Sequence, residues 1–460
     1  MVLSRRVLGG VIVSLCGLGA CLGPTRPAVE VAPMQVLKLE SREGRFPNRL
    51  RVIVETVDES DIAGVALAVD AGSARDPEGQ AGLAHLVEHN VFEGRHGDAP
   101  SVERRLDQLA ARYNAETSHD AVVYHAFAPR RAFDDLLRVF ADIAAEPLAH
   151  VDGAAFEHQR QVVEAERGLR TEHVQGQVAG YLYDAIFPEG HPYARPVIGT
   201  RESVAALDLS MAQAFVAATH RPERMTMYVV APRSLDPFAR VSQVFAPQAG
   251  GALAPSDALT VDAFSPPSPL KPVGSLVVHQ STVAAPELWL AWPLPAGTVE
   301  ERARAKSLSS LTQALIRPSF TSHRAVAHAD CGLHEQVLGS VLSCQLVLND
   351  AHDVEDIIDR TLSDLRTGFG DAKTDRDWFW GVQRGAAVNG TLALESLEVR
   401  AATSAEQARD YNNPFLDREV LGAVGALDLG AVSALGYELA DRKRTYAMLV
   451  QPASGASGGP

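Results

Sequence analysis

Five consecutive residues, His85-Leu86-Val87-Glu88-His89, carry the groups in this chain best suited to chemistry. Two imidazoles four positions apart fall on one face of a helix, where both can point at a single metal ion. Glu88 sits one position before the second histidine, beside that face and within reach of a water on the metal. The order H-x-x-E-H inverts the commoner H-E-x-x-H zinc helix. Such a helix needs a third protein ligand and leaves the fourth position open for water. The competing reading is a chance cluster on a solvated helix face, so the rest of the chain must supply the ligand and a scaffold.

A carboxylate from a second helix is the natural third ligand. The run from Phe156 to Glu166 has no Gly or Pro and favours a helix. Within it Glu157 and Glu164 are seven apart and share a face two turns long. Acids on such a run are usually a solvated face, and Glu166 is placed in that class. His96, His119, His125 and His158 have no assigned role, and His191, in a Pro-rich loop, reads as structural.

The elements that must position these groups follow from periodicity and breakers. Arg51–Glu55 and Val65–Val69 read as strands, and the loop Asp76-Pro77-Glu78-Gly79 leads into the histidine helix. Ser101 can cap a helix running to Leu109, with Glu103 in its first turn. Tyr113–Thr117 and Ala121–Ala126 read as paired strands, and Arg131–Ile143 has helical apolar spacing. Residues 246–272 are rich in Ala, Pro, Gly and Ser and read as a linker. Beyond it the order of elements repeats: strands at Ser275–His279 and Leu288–Trp292, a helix over Thr298–Ile316, and a strand pair over Gly332–Leu348. Helices follow at His352–Thr367, Arg376–Val388, Leu392–Gln407 and Leu429–Ala440, then a last strand at Arg444–Val450. No second H-x-x-E-H occurs, so this half reads as a diverged duplicate without a metal.

The stretches Ala71-Gly72-Ser73 and Gly82 to Gly94 resemble the metal-site region of the M16 (pitrilysin/insulinase-like, inverzincin) metallopeptidases, in their bacterial two-domain processing-peptidase-like branch. Tyr113-Asn114-Ala115-Glu116-Thr117 is similar to that family's N-A-x-T strand, and His191 to Thr200 to its H-P-Y-x-R-P-x-x-G segment. The family carries its third ligand on a Glu about 75 residues beyond the second His, with another Glu seven positions earlier. Glu164 and Glu157 occupy those positions. The resemblance therefore implies one Zn2+ per chain on His85, His89 and Glu164, with Glu88 as general base on the activated water. It implies Glu157 as a carboxylate behind the ligands and Asn114 on the substrate side.

The implied fold is α+β, with two related domains, each an antiparallel-rich sheet covered by helices (the LuxS/MPP-like metallohydrolase fold). The implied boundaries are 35–245 for the zinc-bearing domain and 273–452 for an inactive, substrate-side domain. Implied substrates are short or unfolded peptides that add as a strand to an open sheet edge. Active members often supply an Arg and a Tyr, seven apart, to clamp the substrate carbonyl. In the corresponding block, His328 to Glu335, those two positions hold His328 and Glu335, while Arg324 is nearby but out of register. A homo- or heterodimeric M16-like partner supplying the clamp is the expected remedy.

Composition and the chain ends set the setting. At 460 residues two domains are expected, and the net charge of −15 argues against nucleic acid. Residues 1–20 have the basic start and short apolar run of a signal peptide. Leu18-Gly19-Ala20-Cys21 resembles a bacterial lipobox, with Cys21 as the acylated residue. The competing reading is an ordinary secretory signal. Leu22 after the Cys favours the outer membrane, facing the periplasm. Residues 21–34 would be a tether and 453–460 a flexible tail. Cys331 and Cys344 could pair in an oxidising compartment or remain buried thiols.

The expectation is a zinc-dependent endopeptidase subunit, lipid-anchored in the bacterial envelope. Its alternative is a non-catalytic envelope subunit or peptide binder with a vestigial or structural zinc site. Glu88 separates them, because a base that makes no metal bond has no structural use.

Overall fold

Val52-Ile53-Val54 and Val65 through Val69 are apolar at successive positions, and every one of these residues is buried. A strand buried on both faces must sit inside a sheet covered on both sides. The computed structural model shows how that cover is supplied. It describes residues 40–172, 182–183, 185–187, 190–247, 276–281, 283–295, 297–321, 325–372 and 376–452. The segments read from sequence as a signal peptide, a tether with Cys21 and a 453–460 tail, and the part of the expected linker beyond Pro247, lie outside the described residues.

The first half contains strands β1 (Glu40–Arg45), β2 (Arg51–Val57), β3 (Ile62–Val69), β4 (Arg112–Thr117), β5 (Val122–Pro129) and β6 (Met225–Pro232). Its helices are α1 (Leu83–Val91), α2 (Val102–Gln108), α3 (Phe133–Ala145), α4 (Gly153–Glu172), α5 (Arg201–Ala206), α6 (Leu209–Thr219) and α7 (Pro237–Phe245). The second half contains β7 (Leu276–Ser281), β8 (Glu287–Leu294), β9 (Val326–His334), β10 (Ser340–Leu348) and β11 (Tyr446–Pro452). Its helices are α8 (Val299–Thr321), α9 (Val354–Ala372), α10 (Arg376–Glu395), α11 (Leu397–Tyr411), α12 (Leu416–Val424) and α13 (Leu429–Leu439).

The sheets run β1-β2-β6-β3-β5-β4 and β7-β11-β8-β10-β9. Apart from β1, the two orders are the same when matched in chain sequence, and the expected duplication is present in the topology. Each sheet is antiparallel except for one parallel pair, β2 with β6 and β7 with β11. The fold is α+β, with mixed sheets. Among the described residues no single helix is long and apolar enough to cross a membrane.

The halves exchange cover. One face of the first sheet packs on α1, α3, α4 and α7. The other face is covered by α11, a helix of the second half, through Ala401, Ala405 and Ala408 against Ile53, Ala66 and Tyr228. In return, Leu182, Tyr183, Ile186 and Phe187 of the first half pack on Ala291, Val341 and Met448 of the second sheet. A buried ion pair crosses the first exchange: Arg400 donates to both oxygens of Glu55 at 2.7 and 3.1 Å, and the Tyr228 hydroxyl donates to the same carboxylate at 2.8 Å. The helix read from sequence as Leu392–Gln407 is in fact two, because Ser396 caps α11 through the Val399 amide. Cys331 and Cys344 face each other across β9 and β10 and form a disulfide.

Candidate metal centre

Helix α1 is placed by its first turn. Gly82 precedes it in the left-handed region, at φ 94°, where a side chain would strike the Ile198 carbonyl. No side chain at that position caps the helix. Instead Asp76, from the preceding loop, accepts from the Gly82 and Ala84 amides at 2.8 and 2.9 Å. Arg195 holds that loop through the Asp76 carbonyl at 2.6 Å. Burial raises the Asp76 carboxyl to about 7, against the two amides that favour its charge. Leu83, Leu86, Val87 and Val91 bury the other faces of α1, leaving His85, Glu88 and His89 toward a cleft.

Helix α4 brings a carboxylate to the two histidines, and it is that of Glu166, not of Glu164. His85 Nε2 and His89 Nε2 lie 3.7 and 3.4 Å from Glu166 Oε2. One ligand atom from each of these three residues lies within 4.8 Å of the other two. The correction has a simple cause. Phe156 and Val163 are buried and define the inward face of α4, and Gln159 and Glu166 continue it at helical spacing. Glu157 and Glu164 lie on the neighbouring face, paired with Arg160 and Arg167 at 2.7 Å each. The repeated E-x-x-R pairs were the signal that this face is solvated. Glu157 is therefore not behind the ligands, and the position seven before the ligating Glu is Gln159.

Gln159 takes the supporting role. Its Nε2 donates to Glu93 at 2.7 Å, which turns its oxygen toward His89 Nδ1 at 3.4 Å. A proton on His89 Nδ1 leaves Nε2 with its lone pair facing Glu166 and His85. Burial alone would lower the His89 imidazole, but Glu166 and Glu88 outweigh it and hold it above its ordinary value. The cluster is built to favour positive charge. Two imidazoles, one carboxylate and an imidazole orienter fit a zinc ion with an open position. Glu88 stands beside them, mostly buried, and accepts from the Thr117 hydroxyl on β4.

The cleft has a volume of about 680 Å3. Phe92, Tyr113 and Asn114 line it, as do the carboxylates of Glu88, Glu93, Glu103, Glu116 and Glu166, and no Lys or Arg does among the described residues. Burial, then Glu93 and Asp107, raise the Glu103 carboxyl above its usual range. Among the described residues β4 is an edge strand, paired with β5 alone, and its residues Tyr113–Thr117 line the cleft. Asn114, on that strand, is one of the residues lining the cleft. His191 is structural: buried, with Nδ1 accepting from the Tyr193 amide at 3.1 Å. Neither His328 nor Glu335 lines the cleft. His328 is exposed on β9, and Glu335 is bound to Arg302 and Lys306 at 3.3 and 3.1 Å.

In the second half the space between α8, β9 and α10, which correspond in order to α1, β4 and α4, holds an ammonium. Lys306 Nζ lies 2.6 Å from Asp417 and 3.1 Å from Glu335. No second group of metal ligands occurs among the described residues.

Residues 51–201 match the family model described as Insulinase (Peptidase family M16). An uncharacterized zinc protease of Mycobacterium leprae is 29% identical over 40% of this chain and 41% of its own length. The mitochondrial-processing peptidase subunit beta of Saccharomyces cerevisiae is 22% identical over 41% of this chain and 40% of its own. The matches thus span about two-fifths of these relatives. A protease from Helicobacter pylori has the same fold, with a TM-score of 0.80 over 90% of this chain and all of that one, at 17% identity.

Proposed function

Because this chain belongs to peptidase family M16, we propose that it is a zinc-dependent endopeptidase, or the metal-bearing subunit of one. The observation that carries this reading is the grouping of His85, His89 and Glu166 with Glu88 alongside, at an open sheet edge. Zinc, when bound, supplies a Lewis acid that makes water a nucleophile near neutral pH. The chain's own residues do the rest. A peptide pairs along β4 and brings its scissile carbonyl to the cluster. Glu88 accepts the proton as the water oxygen bonds to the carbonyl carbon, and returns it to the amine as the C–N bond breaks. Gln159 keeps His89 in the ligating tautomer.

The five cleft carboxylates support basic peptides as substrates. All the described lining residues come from the first half, which supports a partner chain that covers the cleft and clamps the carbonyl. The lipobox at Leu18–Cys21 supports a lipid-anchored envelope protein. The test is zinc content and cleavage of an unstructured basic peptide, by the chain alone and with an M16-like partner carrying the Arg and Tyr. Glu88→Gln should keep the zinc and lose turnover by a factor on the order of 10²–10⁴. Stoichiometric zinc without turnover in either setting would sink the enzyme reading in favour of a peptide binder.

A further inference from the structure

Thr117 is the last residue of β4, and its hydroxyl donates to Oε2 of Glu88. A carboxylate turns about its terminal bonds, and holding one oxygen aims the other. What holds Thr117 comes next in the chain. Residues 118–121 form the turn into β5, and Asp120 in that turn is buried. Val337, between β9 and β10 of the second half, donates its amide to Asp120 Oδ2 at 3.0 Å. The Tyr193 hydroxyl donates to Asp120 Oδ1 and accepts from the Leu338 amide at 3.0 Å. Arg409, at the end of α11, donates to the Asp120 carbonyl at 2.6 Å. Gln336 bonds His119 Nδ1 at 2.8 Å. The turn three residues beyond the base's partner is thus held by Val337, Gln336 and Arg409 of the half that carries no metal, and by the first half's own Tyr193, whose hydroxyl is in turn held by the second half's Leu338 amide.

We propose that Thr117 is a positioning residue for Glu88, and that the second half sets it through the Asp120–Tyr193 anchor. This rests on the reading of Glu88 as the base. It gives the second half a task in the first half's chemistry, although none of its described residues lines the cleft. It also joins docking to chemistry, since the strand that takes the peptide is the strand that aims the base.

The test uses the full chain, with its partner if turnover requires one, and an unstructured peptide. Thr117→Val should lower kcat about tenfold with KM nearly unchanged and zinc content intact, and Thr117→Ser should restore it. Tyr193→Phe should lower kcat several-fold with zinc retained, and the double variant should be no slower than Thr117→Val alone. Hydrogen exchange across residues 117–121 should rise in Tyr193→Phe, a readout independent of turnover. Wild-type kcat in Thr117→Val, or no rescue by Ser, overturns the positioning role. Additive losses in the double variant, or unchanged exchange in Tyr193→Phe, overturn the anchor. Failure of the base reading is seen separately, as full turnover in Glu88→Gln.

Discussion

Glu166 Oε2 lies 3.4 Å from His89 Nε2, while Glu164, one-half turn earlier on the same helix, is turned away to Arg167. Two residues of register decide which carboxylate can share a metal with the histidines. Glu166→Gln should therefore abolish stoichiometric zinc, and Glu164→Gln should leave it intact. Glu164→Gln removes only a partly exposed ion pair, worth under about 1 kcal/mol. Metal analysis after dialysis decides between them, and zinc lost from Glu164→Gln alone would contradict the assignment.

Gln159 should matter to affinity rather than to ligand count. Replacing it with Leu frees the His89 ring and leaves Glu93 without its amide partner. Zinc affinity should fall about 10–100-fold, as for other residues that orient a ligating histidine. Gln159→Glu can still accept from Nδ1 and should retain more of the affinity. Competition with a chromogenic chelator gives the numbers.

The Arg400–Glu55 pair should hold the two halves together. Both side chains are almost fully buried. Arg400→Met removes both guanidinium bonds to the buried Glu55 charge and leaves the Tyr228 hydroxyl donating to it at 2.8 Å, and should cost about 3–5 kcal/mol. Adding Glu55→Gln should recover a large part of that loss. Urea unfolding of the two variants checks both figures.

Acid should destabilise the protein from pH 6.5 downward. Burial lowers His220 to about 3 and His119 to about 4. Both stay neutral in the fold at pH values where the unfolded chain, near 6.5, takes up protons. The unfolded state then binds more protons, so stability falls as pH drops through the window from 6.5 to about 4. Each group contributes about 1.4 kcal/mol per pH unit at most. Asp76 acts in the opposite sense. Its folded value of about 7 lies above its ordinary 3.8, so the fold gains from its protonation over the same range. Asp76, with Glu103 and His89, which are also held above their ordinary values, offsets part of that loss, and His191, lowered by burial to about 4, adds to it. The urea midpoint should drop between pH 6.5 and 4.5, and less steeply in His220→Asn. A midpoint that rises on acidification would refute this balance.

Much of the site was legible because its information is local. His85, Glu88 and His89 are tied by the fixed period of one helix, and Gly82 by a turn that a side chain would obstruct. The strands Tyr113–Thr117 and Ala121–Ala126 were legible for the same reason, and the structure pairs them as β4 and β5. Glu164 was misplaced because counting from a distant motif carries an error of a residue or two, and a helix punishes such an error with a rotation of about 100° per residue. The apolar pair Phe156 and Val163 and the E-x-x-R pairs held the correct answer. Gln159 was missed because an uncharged amide gives no sign of function until its neighbours are known.

The sequence by itself determined the grouping of His85, Glu88 and His89 on one helix, the repeated order of elements and the absence of a second H-x-x-E-H motif. These depend on residue type and on periods of two and 3.6, which every segment carries within itself. Only the tertiary structure decided that Glu166 completes the cluster, that α11 covers the first half's sheet, and that Thr117 reaches Glu88. Those facts depend on the relative placement of segments far apart in the chain. That placement is set by burial and close packing summed over the whole molecule, and no single stretch of sequence records it.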